Sequence, residues 1–307
     1  GLIDHIQQLW WLEMIEELNI ELNPDPFEET LDFVKACCEY YQSLPRIRYS
    51  FGIQTFDDEI LKISWRQYTF NQIKWYLREL QRIKQPTMCY NIDFIAFWSL
   101  WASSISKEWW VGRSRKKKEF FDALISSHTF DSISLYMLEL FPGSKWHQQH
   151  HDLLHLSPQT HKIIDQCINP DDQKIMEEHT LLSDSIQFYE YHRYEVSNYA
   201  LLGKQSIHNM VYRTMQPYIW IGASASGLLI DYKQGKEPLY TRYTNTLSIN
   251  EYIKGNFQDP TKIQLLSHNI LLFEWLMTAL RSSHGINCSL YGSILVKDRK
   301  EKLHWYA

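Results

Sequence analysis

The sequence predicts an α/β fold: a partial (β/α) barrel followed by a smaller C-terminal α+β domain. Two observations predict it. Short β-rich runs alternate with amphipathic helical runs, and the early strands begin roughly 30 to 45 residues apart, the spacing of β-loop-α units that wind right-handed into a parallel sheet. After about residue 228 the texture changes to polar, tyrosine-rich segments ending in FEWLMTALRSSHGI, so the expected domains are 1–228 and 229–307. A doubly wound sheet is the second choice, because no G-x-G-x-x-G follows a strand.

The elements follow in order. LNIEL (18–22) opens as a strand. Asp25, Pro26 and Glu28 then match an N-cap, a first-turn proline and an N3 acid, and predict a helix to about Gln42. RIRYSFGI (46–53) and MCYNIDFIA (88–96) are the next strands, separated by a run in which Phe70, Ile73, Leu77 and Leu80 share a helical face. Phe120, Phe121, Leu124 and Ile125 mark another helix before SISLYML (132–138). YHRYEVSN (191–198) and PYIWIGA (217–223) are the last expected barrel strands. NILLFEWLMTAL is interrupted by Glu274 and reads as a buried helix; no apolar run reaches the roughly 18 to 20 residues of a membrane span.

At 307 residues, with 44% apolar and 22% charged side chains, the chain is long enough for a large core. A net charge of −5 argues against a nucleic-acid surface over the whole molecule. The five cysteines, Cys37, Cys38, Cys89, Cys167 and Cys288, lack paired metal spacing and read as buried, reduced thiols.

In a parallel barrel chemistry gathers where strands end, because loops there vary while the scaffold stays packed. Glu21 closes the first strand, Gln54 the second, and Asp93 lies near the end of the third. Three polar side chains at successive strand ends converge on one mouth; the competing reading makes each a local cap or turn former.

The line SFGIQTFDDEILKISWRQYT (50–69), preceded by NIELNPD and followed by HRYEVSNYA, SIHNMVY and YIWIGASASG, resembles the oxygen-independent coproporphyrinogen III oxidase-like proteins. These are radical S-adenosylmethionine enzymes and their haem-chaperone relatives. The resemblance covers nearly the whole chain and implies a barrel of the radical SAM type holding a 4Fe-4S cluster and S-adenosylmethionine. By motif match, Glu21, Gln54, Arg66 and Asp93 fall where the family contacts adenosylmethionine. Carboxylates and an amide suit ribose hydroxyls and an ammonium group, and an arginine suits a carboxylate. YEVSN followed by His208, Asn209 and Tyr212 looks more like the haem-chaperone branch, and a neutral imidazole is a good axial haem ligand. Arg213 stands where the family has an aromatic.

Two departures from the family pattern stand out. The cluster-binding C-x-x-x-C-x-x-C triplet is missing, and five scattered cysteines do not replace it; the expectation is a fragment whose cluster ligands lie upstream, so that as given it performs no radical chemistry. Trp65, Trp98 and Trp220 fall where the family has glycine, and tryptophan does not replace glycine where positive φ or close backbone approach is required. The chain has 12 tryptophans and 11 glycines, together near the ordinary glycine share of about 7%. We read these three, with the paired Trp10, Trp11, Trp109 and Trp110, as glycines encoded by a reassigned UGA codon; a divergent paralogue is the alternative.

His147, His150, His151 and His155 could share a helical face, but no cysteine or carboxylate partner is fixed, and a solvated connector is the expected reading. The run GRSRKKKEF (112–120) reads as the solvated start of a helix. The resemblance implies a haem chaperone whose partners are haem or porphyrinogen and a recipient haemoprotein, with no nucleic acid and no membrane span. The alternatives are an oxygen-independent coproporphyrinogen III oxidase and an inactive barrel used for protein binding. Cytoplasmic residence is implied by the oxygen-sensitive cofactor.

Overall fold

The computed structural model describes residues 15–42, 44–96, 118–137, 172–231 and 238–286. The histidine run at 147–155, most of the basic run, Cys167, Cys288, Trp10, Trp11, Trp98, Trp109 and Trp110 lie outside them. The chain divides into two compact units between Gln205 and Ser206.

The first unit is built on a six-stranded sheet of order β1-β2-β3-β4-β6-β5. β1 (Leu18–Leu22), β2 (Ile47–Gln54), β3 (Met88–Ala96) and β4 (Ser132–Met137) run parallel. α1 (Phe27–Tyr40), α2 (Asp58–Ile63), α3 (Phe70–Ile83) and α4 (118–126) fill the crossovers. α5 (Asp172–Phe188) leads into the short β5 (His192–Arg193) and β6 (Asn198–Ala200). The parallel core agrees with the sequence reading, but its edge does not. Residues 191–198 turn back on themselves, with Tyr194 N and Glu195 N both donating to Asn198 O, so β6 pairs antiparallel with β4 and β5.

Alternation along the strands separates two faces. Tyr49, Phe51, Tyr90, Ile92, Ile133 and Leu135 are fully buried on one face, where the helices pack. Burying each such side chain contributes about 1.5–3 kcal/mol. Ile73, Leu77 and Leu80 of α3 and Phe121 and Ile125 of α4 join this core, as their spacing predicts. Thr69 caps α3 reciprocally: its hydroxyl accepts from Gln72 N and its backbone N–H donates to Gln72 Oε1 at 2.8 Å. α1 starts differently from expectation. Pro26, not Asp25, is the N-cap residue and no side chain caps it, although Glu28 and Glu29 still complement the helix dipole.

The other face of the sheet is polar: Arg48 and Ser50 on β2, Asn91 and Asp93 on β3, Ser132 and Ser134 on β4. At the N-terminal end of this sheet Asp131 is buried, accepts from Tyr90 N at 2.7 Å, and pairs with Lys84 at 2.8 Å and Lys204 at 3.4 Å.

The second unit begins with α6 (Ile207–Arg213) and carries an antiparallel sheet, β7 (Ser226–Asp231), β8 (Leu239–Asn245) and β9 (Gln258–Leu265), with α7 (Ile249–Ile253) between the last two. α8 (His268–Ala279) follows and buries Leu271, Trp275 and Ala279, while Ile270, Phe273 and Met277 are exposed. The expected strand at 217–223 is instead an anchored loop with one bridge, Tyr218 to Leu228. Distant side chains hold it: Tyr252 Oη accepts from Gly222 N at 2.9 Å, and Asn245 Nδ2 donates to Gly222 O at 2.8 Å.

Removing the Asp131 carboxylate takes the acceptor from the Tyr90 amide and the ion-pair partner from Lys84 and Lys204 at the N-terminal end of the sheet. Asp131→Ala is therefore expected to destabilise the protein by about 3 kcal/mol, read from urea unfolding midpoints.

Candidate functional site

Glu21, Leu22, Asn23, Ser50, Gly52, Gln54, Arg66 and Asp93 line one cavity of about 250 Å³. The C-terminal ends of β1, β2 and β3 supply most of them, and the turn after α2 supplies Arg66. The four residues singled out at the strand ends and after them thus share one cavity.

Local structure explains how each reaches it. The β2–β3 register shifts between Gly52 and Gln54, and Gln54 has φ +67°, so the strand turns out of the sheet and frees the glutamine amide. Gly52 leaves the room: a Cβ there would lie 3.0 Å from Gln54 Nε2 and 4.0 Å from Arg66 Nη2. Arg66 Nη1 donates to Gly52 O at 3.1 Å, to Tyr68 Oη at 3.0 Å and to Asn23 Oδ1. Asp93 Oδ2 accepts from Ser50 Oγ at 3.0 Å and Oδ1 from Asn91 Nδ2 at 2.7 Å. Burial pushes the Asp93 carboxyl above the ordinary carboxylate range; the adjacent Ser134, Ser50 and Asn91 side chains oppose the rise and the Glu21 charge adds to it. Asn23, Ser50, Gly52, Tyr68 and Asn91 were not singled out in the sequence. For Ser50, Gly52 and Asn91 the signal is the alternation of small or polar residues with large apolar ones through 48–54 and 89–94.

Trp65 sits at the end of α2. Trp65 N donates to Lys62 O at 3.2 Å and Arg66 N to Leu61 O at 2.9 Å, the paired bonds of a Schellman C-cap with Trp65 at the left-handed position. Its φ is +57°, where glycine is the usual occupant. The turn presents Arg66 to the cavity, so the backbone at 65 has the conformation that the glycine reading requires. Position 220 does not: Trp220 is not among the described residues with positive φ, and its indole N–H donates to Tyr212 Oη at 2.6 Å.

His208, Asn209 and Tyr212 lie on α6 in the second unit. Ser206 caps this helix by accepting from Asn209 N at 3.2 Å. His208 Nε2 and Tyr212 Oη are 3.1 Å apart, one turn along the helix, and the Trp220 ring lies 6.2 Å from the imidazole. The hydroxyl of Tyr212 therefore meets both the exposed imidazole and the indole.

The chain matches no family model. It is 26% identical over 280 residues to the protein named heme chaperone HemW of Lactococcus lactis, covering 90% of this chain and 62% of the relative. Several of its relatives bear the name heme chaperone HemW. The HemW of Buchnera aphidicola from Schizaphis graminum is 24% identical over 287 residues, 93% of this chain and 62% of that one. Radical S-adenosyl methionine domain-containing protein 1, mitochondrial, of Danio rerio is 25% identical, over 90% of this chain and 55% of its own length. The chain thus spans less than two thirds of the length of HemW and these other curated relatives. In fold it is similar to the coproporphyrinogen III oxidase HemN of Escherichia coli, a radical SAM enzyme, with a TM-score of 0.57 at 13% identity, covering 90% of this chain and 57% of HemN. The parallel-sheet α/β architecture read from the sequence is that of this structure.

The side chains of the cavity fit adenosylmethionine: Arg66 suits a carboxylate, Glu21 and Asp93 suit ammonium or hydroxyl donors, and Gly52 keeps the wall open. The described cysteines do not fit a 4Fe-4S cluster. Cys37, Cys38 and Cys89 are buried free thiols, all pushed up by burial, and none lines the cavity. No described helix is long and apolar enough to cross a membrane.

Two outcomes are expected. Trp65→Gly relieves a left-handed tryptophan and should stabilise the protein by about 1 kcal/mol in urea unfolding; a UGG codon at 65 would end the reassignment reading without changing that result. Because the Asp93 pKa is raised in the folded state, its favourable contribution is full below the ordinary carboxylate pKa and lost as pH rises through the folded value. Asp93→Asn should therefore raise the melting temperature at pH 7 and leave it nearly unchanged at pH 3.

Proposed function

We propose that this chain acts as a radical SAM-type haem chaperone: it binds adenosylmethionine at the strand-end cavity and haem at His208, and passes haem to a recipient haemoprotein. The observation that carries the reading is the convergence of Glu21, Gln54, Arg66 and Asp93 on one cavity in a chain whose relatives are named heme chaperone HemW.

The roles follow from the side chains. Arg66, fixed by Gly52 O, Asn23 and Tyr68, presents a planar cation to the amino-acid carboxylate. Glu21 and Asp93 accept from the ammonium group or ribose hydroxyls, and Gln54 offers both a donor and an acceptor. Bound there, adenosylmethionine supplies a sulfonium cation and an adenosyl group. In the second unit, the exposed imidazole of His208 is the candidate ligand for the haem cargo, and the Tyr212 hydroxyl fixes its ring. Asn209 stands beside it on the same helix.

Haem titration followed by its Soret band tests this reading. The wild-type chain should bind haem, His208→Ala should bind at least about tenfold more weakly, and neither should form porphyrin product from coproporphyrinogen. Product formation by the reconstituted full-length protein would replace the chaperone by an oxidase; a chain that binds no haem and forms no product would leave an inactive protein-binding barrel.

A further inference from the structure

Asn91 lies on β3 two residues before Asp93 and is 2% exposed. Its side chain is the hub of the polar face. Nδ2 lies 2.7 Å from Asp93 Oδ1, 2.8 Å from Ser50 Oγ and 2.9 Å from Ser134 Oγ, while Oδ1 accepts from Ser132 Oγ at 2.8 Å. An amide nitrogen carries two hydrogens, so three acceptors compete for them, and the charged one binds most strongly. Ser134 Oγ donates in turn to Asn198 Oδ1 at 2.7 Å, and Asn198 Nδ2 donates to the buried Glu195. An unbroken line of side chains thus runs from Asp93 across β3, β4 and β6. An apolar residue at 91 would fill the same space but leave Asp93 and the flanking serines short of partners, at a cost the fold avoids.

We propose that Asn91 is a positioning residue for Asp93: its amide holds the carboxylate turned into the cavity. The proposal rests on the reading of that cavity as an adenosylmethionine site. Among the described residues, the charged and titratable groups around the Asp93 carboxylate are Glu21 on β1, Arg66 across the cavity and Tyr136 on β4, with Glu195 beyond Tyr136. Burial and Glu21 act against ionisation, while Ser50, Ser134 and Asn91 support it. Asn91 is the member of that supporting set that also braces the other two.

The test uses the full chain labelled with carboxyl-¹³C aspartate, Asp93→Asn identifying the signal. In Asn91→Leu the Asp93 titration midpoint should rise by about one pH unit; Asn91→Ser, which keeps one donor, should move it less and carries the test if the leucine variant does not fold. By calorimetry at pH 7, S-adenosylhomocysteine should bind Asn91→Leu about tenfold more weakly than wild type. The same substitution should add little in an Asp93→Asn background. An unchanged midpoint in both variants overturns the proposal whatever the ligand does, and so does an equal loss of affinity in both backgrounds. A raised midpoint in a protein whose wild type binds no S-adenosylhomocysteine sustains the role of Asn91 and removes the adenosylmethionine reading.

Discussion

A carboxylate set into the face of a parallel sheet stays there only if donors reach it from its own strand and from a neighbouring one, and Asp93 is held in this way. Ser50 donates from β2 and Asn91 from the same strand, and the Ser134 hydroxyl of β4 lies alongside, in register with Asp93. The arrangement fixes much else. It requires the register that sets Ser50 beside Asn91 and Asp93 beside Ser134, and it assigns the opposite face to Tyr49, Phe51, Tyr90 and Ile92. A slip of one residue would exchange the faces, burying the carboxylate among aromatics and exposing the core.

The mouth of the cavity depends on turns rather than on the sheet. Gln54 and Trp65 both adopt positive φ, one where β2 leaves the ladder and the other where α2 stops. Each turn delivers the next functional group: the Gln54 amide directly, and the Arg66 guanidinium one residue later. Strain of about 1 kcal/mol at such positions is tolerated because surrounding bonds over-determine the backbone. In the second unit a strand pair positions a loop in a similar way. Gly227 lies against the Tyr243 ring, where a Cβ would come within 2.3 Å, and Tyr243 Oη accepts from Trp220 N at 3.1 Å. The loop carrying Trp220 is thus positioned from β8, more than 20 residues away in sequence.

Much of this was legible in the sequence where the determinants are local. The strands at 18–22 and 88–96 coincide with their apolar and β-branched runs, and Ile73, Leu77 and Leu80 face the core as a 3.6-residue period requires. PYIWIGA misled for the opposite reason: its composition is that of a strand, but its partners, Tyr243, Asn245 and Tyr252, lie far downstream and hold it as a loop. YHRYEVSN has the composition of one strand, and nothing local announces that Asn198 O receives two backbone donors and reverses the chain. Among the residues of the cavity, the charged and amide groups at strand ends stood out by position. Ser50, Gly52 and Asn91 did not, because their meaning comes from strand register across some 40 residues of intervening chain.

The central claim is that Glu21, Gln54, Arg66 and Asp93 form one ligand site. It is tested most directly by a crystal structure of the chain soaked with S-adenosylhomocysteine. The account predicts density for the ligand in the strand-end cavity, its amino-acid carboxylate against Arg66 and its donors against Glu21 and Asp93. Ligand density confined to another surface, with Arg66 still bound only to Gly52, Asn23 and Tyr68, would contradict it.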